Sequence, residues 1–166
     1  MSQIRSKWLR FFLVVGVVLV LDQSSKLYVH TTFALHEAYP IFADFFHLTY
    51  VRNAGAAFGL LAQQHPMFLR FFFPSITLLA VVALLVYYVR VPGEQALTLW
   101  GICLIIGGAV GNGIDRLWLG QVIDFIDVHV YNYHWPAFNL ADSAICVGVG
   151  LLLLDTLRRP ATARVP

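Results

Sequence analysis

The chain is short of charge. Only 12% of its 166 residues are Asp, Glu, Lys or Arg, 59% are hydrophobic, and the net charge is +2. Mean hydropathy is +0.73. Soluble domains carry about a quarter charged residues, so an ordinary soluble fold is excluded and most of the length must lie in a bilayer. The near-neutral balance gives no reason to expect a nucleic-acid partner. Cysteine is also scarce. Cys103 and Cys146 both fall in apolar segments, away from any metal-ligand spacing, which excludes a disulfide framework and reads as two buried small apolar residues. No His-Glu-x-x-His is present, which removes the usual zinc-protease motif. His129 and His134 are too sparse to name a metal site. No internal repeat or low-complexity tract appears, and residues 1–166 read as one domain.

What is present is a set of long apolar runs. Spans are expected at about 9–28, 67–89, 95–114 and 140–157. The first has a basic start like a signal peptide, but no small-x-small cleavage site follows and three more spans come after it. Arg5, Lys7 and Arg10 precede the first run, Arg90 separates the second from the third, and Arg158, Arg159 and Arg164 follow the last. With four spans these places share one side, which the positive-inside rule makes cytoplasmic, with both termini. The histidines and most acids then lie outside or at the outer edge. Between the first two spans, Phe46–Arg52 is β-branched and aromatic. Asn53-Ala54-Gly55 supplies a turn and Ala56–Leu60 follows, so a small sheet folding back on the membrane surface is expected, with Phe42, Phe45, Phe46 and Phe58 against lipid or substrate. Tyr87 and Tyr88 are placed at the inner interface. Gly107 and Gly111 have small-xxx-small spacing for close helix approach, and Asn112 or Gly113 is read as ending the third helix. The expected fold is an integral membrane, mainly α protein: four transmembrane helices and a small extracytoplasmic sheet.

Carboxylates at the outer edge of the bilayer are costly and read as functional. Asp124 lies in the loop after the third span, and Asp142 opens the fourth. Two carboxylates sharing one proton can activate water and protonate a carbonyl, the chemistry of an aspartic protease. Each has a plainer reading. Asn139-Leu140-Ala141-Asp142 has the form of an N-cap with an acid at N3, and Asp124 can be a solvated loop acid. Asp127 is an alternative dyad member, read as the more solvated acid. Asp22 and Lys26 are spaced i,i+4 and read as a structural pair. Arg116 can anchor a lipid phosphate or satisfy loop carbonyls, the second being preferred. Ser25 and Lys26 are adjacent, so on a helix they point about 100° apart, which argues against a Ser/Lys dyad.

Five stretches in order resemble the bacterial lipoprotein signal peptidases (signal peptidase II): Asp22–Lys26, Val51–Gly59, Gly107–Arg116, Gly120–Phe125 and Phe138–Ser143. The resemblance implies a membrane aspartic endopeptidase of the bacterial inner membrane, acting on the extracytoplasmic side. It implies removal of the signal peptide from prolipoproteins immediately before a diacylglyceryl-modified cysteine. It further implies catalysis by Asp124 and Asp142, with Asp22, Lys26, Asn53, Gly55, Asn112, Arg116 and Asn139 in support. A β-sheet cradle under a mobile loop, no cofactor and inhibition by the cyclic peptide globomycin follow from it as well. Membrane lipids are further partners, and a monomer is expected. The alternative is a small proton-coupled transporter using the outer-edge acids. A non-enzymatic assembly protein is a third reading, with no reason for polar groups to converge on one side.

Overall fold

The computed structural model describes residues 2–42, 45–56, 59–131 and 133–158. Their elements run α1 (Ser2–Thr32), β1 (Ala38–Phe42), β2 (Phe46–Asn53), α2 (Pro66–Arg90), α3 (Ala96–Leu119), β3 (Val122–Val130), β4 (Tyr133–His134) and α4 (Leu140–Arg158). Among the described residues, three helices are long and apolar enough to cross a membrane: α2, α3 and α4. α1 is longer still, but its apolar stretch is bracketed by Arg5, Lys7 and Arg10 at one end and by Asp22 and Lys26 at the other.

α3 is the central helix and packs against the other three. Its most apolar window is 61% buried within the protein, against 6% for α2 and 11% for α4. α2 and α4 thus turn apolar surface outward, as helices bathed in lipid do. The contacts of α3 rely on small residues. A Cβ on Gly101 would lie 2.8 Å from the Gly148 carbonyl oxygen on α4, and one on Gly107 would lie 2.9 Å from Val18 Cβ on α1. At one end of the bundle Phe11, Val14, Tyr88, Leu99, Ile102 and Cys103 form a packed cluster. Lys7 Nζ donates there to the carbonyls of Val89 and Val91, and Thr98 donates to Asp155. The N-terminal end of α1, the α2–α3 turn and the C-terminal end of α4 therefore share one end.

The sheet lies at the other end. It is antiparallel in the order β1-β2-β3-β4. β2 pairs with β1 on one side and with β3 on the other, with Val51 opposite Asp124 and Asn53 opposite Val122. Val29, Tyr50, Ile123 and Phe125 are buried between this sheet and α1.

Several expectations are corrected. Among the described residues, the strand at Phe46–Asn53 pairs with β1 and β3, from both connecting segments, and not with the residues after Gly55. Ala57 and Phe58 lie outside the described residues, as do Arg159 and Arg164. Phe42 and Phe45 are exposed. α3 does not end at Asn112 or Gly113. It runs to Leu119 and stops at Gly120, whose φ of 73° is the left-handed cap glycine adopts most readily. Asn112, Gly113 and Asp115 are buried on its packed face, so that turn is held rather than frayed. Tyr88 is fully buried within the protein and donates to the Lys7 carbonyl at 2.7 Å. Cys146 is exposed on the outer face of α4; only Cys103 is buried.

Candidate active site

Four segments bring polar groups together where the sheet meets the helices. α1 presents Asp22 and Lys26 one turn apart on the face toward α3. Lys26 Nζ lies 2.9 Å from Asp22 Oδ2 and 2.9 Å from Asp115 Oδ2, and donates to Asn112 Oδ1 at 2.8 Å. All three charged groups are within 2% of full burial. A buried ammonium is tolerable only with such partners. Asp22 Oδ1 accepts from Ala141 N at 2.9 Å, the first turn of α4. Asp115 Oδ2 accepts from Ile123 N at 3.1 Å, fixing β3. Gln23 was not singled out from the sequence, yet its Nε2 donates to Asp115 Oδ1 at 3.0 Å and to the Gly111 carbonyl at 3.2 Å. Asp22-Gln23-Ser24-Ser25-Lys26 carried that signal, but spacing alone does not show which way Gln23 points.

The start of α4 is a reciprocal cap. Asp142 N donates to Asn139 Oδ1 at 2.9 Å, and Asn139 N donates to Asp142 Oδ2 at 3.3 Å. This is the capping-box geometry expected of an N-cap and an N3 acid. The Asn139 amide does more than cap: its Nδ2 donates to Asp124 Oδ1 at 2.7 Å. Asn112 completes the link, its Nδ2 donating to Asp142 Oδ1 at 2.8 Å. Lys26 and Asn139 both donate to Asn112 Oδ1, which fixes the orientation of that amide.

Asp124 hangs from β3 on the face toward this network and is buried. Asn53, at the end of β2, donates to its Oδ2 at 3.2 Å. The other end of that amide closes a turn, Asn53 Oδ1 accepting from Gly55 N at 2.9 Å. Arg116 Nη2 donates to the Gly55 carbonyl at 3.0 Å, a loop carbonyl as preferred, and its guanidinium sits 4.6 Å from the Phe73 ring centroid. Asp22, Lys26, Asn53, Gly55, Asn112, Arg116, Asp124, Asn139 and Asp142 thus lie in one connected network. Asp127 does not join it. It is largely buried and bonded to His134 rather than solvated as expected.

Burial pushes the Asp124 carboxyl up from the ordinary 3.8 to about 7, and the negative charge of Asp142 adds to the rise. The hydrogen bonds from Asn53 and Asn139 and the charge of Lys26 work in the opposite direction. Near neutral pH Asp124 therefore holds a proton for part of the time. Asp142 sits in the first turn of α4, its carboxylate accepting from Asn112 Nδ2 and from Asn139 N. Two carboxyl groups so differently placed can divide acid and base roles.

The chain matches the family model described as "Signal peptidase (SPase) II" over residues 14–158. It is 44% identical over 149 residues to the lipoprotein signal peptidase of Syntrophus aciditrophicus, covering 90% of this chain and 92% of that protein. It is 50% identical over 146 residues to that of Syntrophotalea carbinolica, covering 88% and 89%. A solved structure described as "Bacterial membrane enzyme structure by the in meso method at 2.3 A resolution" superposes with a TM-score of 0.82 at 30% identity, over 94% of this chain and 92% of that one. The chain belongs to the lipoprotein signal peptidase (signal peptidase II) family of membrane aspartic peptidases.

Proposed function

We propose that the protein removes the signal peptide from prolipoproteins by hydrolysing the bond before a diacylglyceryl-modified cysteine, with Asp124 and Asp142 as the catalytic pair. The observation that carries this reading is the Asn139 bridge, which holds the Asp124 carboxylate by its side chain and the Asp142 carboxylate by its backbone. Ionised Asp142 takes a proton from a water molecule, and the water oxygen attacks the scissile carbonyl. Protonated Asp124 delivers its proton to the carbonyl oxygen as the tetrahedral intermediate forms. On collapse the C–N bond breaks as Asp142 gives its proton to the leaving nitrogen and Asp124 takes a hydroxyl proton from the intermediate. The dyad returns to its starting state, and the amine becomes the new N-terminus at the cysteine. Asn53, Asn112 and Asn139 keep the two carboxyls in place; Arg116 and Gly55 shape the wall beside them.

All four helices cross the bilayer in this reading. The end holding Lys7, Arg90 and Arg158 faces the cytoplasm under the positive-inside rule, and the sheet stands outside. The first helix crosses despite its charges because Asp22 and Lys26 are neutralised inside the protein. The lipidated cysteine is held at the interface by its acyl chains, each methylene contributing about 0.8 kcal/mol. The scissile bond and the aspartates then meet at one depth. A transporter would place its ionisable groups near the bilayer midplane, whereas these gather beside the sheet.

The test is cleavage of a diacylglyceryl-modified precursor by the purified protein and by Asp124→Asn and Asp142→Asn. Both variants are expected to insert, fold and lose cleavage. A wild-type rate in either one overturns the assignment.

A further inference from the structure

A second polar cluster lies behind the sheet, and the reaction does not use it. Arg52 on β2 follows Val51, which sits opposite Asp124, so by strand alternation Arg52 occupies the other face. Tyr50 lies beside it there. The outer end of α1 supplies His30, and the end of α3 supplies Trp118. Arg52 Nε donates to the Tyr50 hydroxyl at 2.8 Å, and its guanidinium is 5.6 Å from the Tyr50 ring centroid. The Tyr50 oxygen is 2.6 Å from His30 Nδ1. The His30 ring meets the Trp118 ring edge-on, with centroids 5.8 Å apart.

The direction of these bonds follows from the groups. An arginine only donates, so the Tyr50 oxygen accepts from Arg52. Its own hydrogen goes to His30 Nδ1, since no other acceptor meets it among the described residues. His30 then carries its hydrogen on Nε2. What the cluster has left to offer is donors alone: Arg52 Nη1 and Nη2, His30 Nε2 and Trp118 Nε1. Among the described residues no carboxylate pairs with Arg52, only its Nε is bonded, and neither terminal nitrogen is buried. Tyr50 is 3% exposed, so a fixed partner holds the guanidinium in place.

We infer that Arg52, with His30 and Trp118 beside it, binds the phosphate of a phospholipid headgroup in the outer leaflet. The inference rests on the reading that the helices cross the bilayer with the sheet outside. The ends of α1 and α3 then reach the outer interface, the depth that Trp and Tyr favour. Tyr28 and Trp118 are both exposed there. A guanidinium presents paired N–H groups that match two phosphate oxygens, and with Nε taken by Tyr50 the pair available is Nη1 and Nη2. A lipid fits better than free phosphate because apolar surface continues toward the bilayer centre. Ile114, one turn below Trp118, and Leu27, three residues before His30, are exposed and can lie against acyl chains. The bound headgroup ties β2 to the ends of α1 and α3 from the side opposite the aspartates.

The experiment is native mass spectrometry of the full-length protein in detergent, titrated with phosphatidylglycerol and with diacylglycerol of the same chains, which lacks the phosphate. Arg52→Gln should weaken one phosphatidylglycerol site about tenfold, the loss of a charge-assisted contact, and leave diacylglycerol binding unchanged. Arg70→Gln, a cation exposed at the outer end of α2, should leave both unchanged. Tyr50→Phe keeps the ring but frees Arg52 Nε, so it should weaken the same site several-fold; it carries the test if Arg52→Gln fails to fold. Millimolar inorganic phosphate should not displace the lipid. Displacement by phosphate overturns the lipid assignment. Binding unchanged in folded Arg52→Gln, or in Tyr50→Phe where Arg52→Gln does not fold, overturns the inference, as does an equal loss in Arg70→Gln. None of these readouts is cleavage. A protein that cleaves precursor but shows no Arg52-dependent lipid overturns this inference alone, and one with that lipid but no cleavage overturns the proposed function alone.

Discussion

Asn139 Nδ2 lies 2.7 Å from Asp124 Oδ1, so the residue that starts α4 also holds the carboxylate that hangs from β3. Backbone capping and carboxylate positioning are joined in one side chain. Asn139→Ala removes both: the cap loss costs about 1 kcal/mol, and Asp124 loses its shorter donor. Melting should fall by a few degrees, while cleavage should fall by more than the lost stability accounts for. Asn139→Ser can still cap but cannot reach across, so it should recover melting temperature without recovering cleavage. Calorimetry and a cleavage assay on the two variants separate the effects.

The dyad works with one proton in this account. Asp124 is raised to about 7 by burial, so its proton is lost as pH rises through that value. Cleavage should decline on the alkaline side with a midpoint near 7. The same shift affects stability with a definite sign. Between the ordinary 3.8 and about 7 the folded state holds a proton that the unfolded state releases. Stability from this group is therefore greatest at low pH and is lost as pH rises to about 7. Melting temperature recorded from pH 5 to 8 should fall less in Asp124→Asn than in the wild type.

Lys26 is the only ammonium between Asp22 and Asp115 in this cluster, 2.9 Å from each. Lys26→Met leaves two buried carboxylates facing each other. Breaking a buried pair by removing one partner costs about 3–5 kcal/mol, so the variant should be strongly destabilised or fail to accumulate in the membrane. Replacing the carboxylates as well, in Lys26→Met with Asp22→Asn and Asp115→Asn, should recover part of that loss. Denaturant midpoints in detergent measure the difference.

Gly111 and Gly16 make a paired test of helix packing. A Cβ on Gly111 would lie 2.5 Å from Asp22 Oδ2, whereas one on Gly16 meets nothing within 4 Å. Gly111→Ala should push α1 from α3, lower melting and disturb the Lys26 cluster. Gly16→Ala should be neutral or slightly stabilising, since alanine favours a helix by about 1 kcal/mol. Equal effects of the two substitutions would mean that the Asp22 contact does not limit packing.

The helices were legible because each apolar run is long and ends in charge or a breaker, and the Asn139–Asp142 cap because its spacing is local. The sheet was half legible. Phe46–Asn53 announces itself by composition, but its pairing with Val122–Val130 joins residues from Asn53↔Val122 to Phe46↔Val128, far apart in the chain, which no local pattern records. The end of α3 was misread for a related reason. Asn112 and Gly113 resemble a helix terminator in isolation, and only the burial of Asn112 against Lys26 explains why the helix continues. Gln23 stayed hidden because its role depends on which helix lies opposite.

The most direct test of the account is cleavage of one precursor in two forms, with and without diacylglyceryl on its cysteine, by the purified protein in lipid-supplemented detergent. Mass spectrometry of the products gives the new N-terminus. The account predicts a single cut immediately before the lipidated cysteine, no cut of the unlipidated form, and no cut of either form by Asp142→Asn. Cleavage of the unlipidated precursor at an equal rate, or cleavage by folded Asp142→Asn, would contradict it.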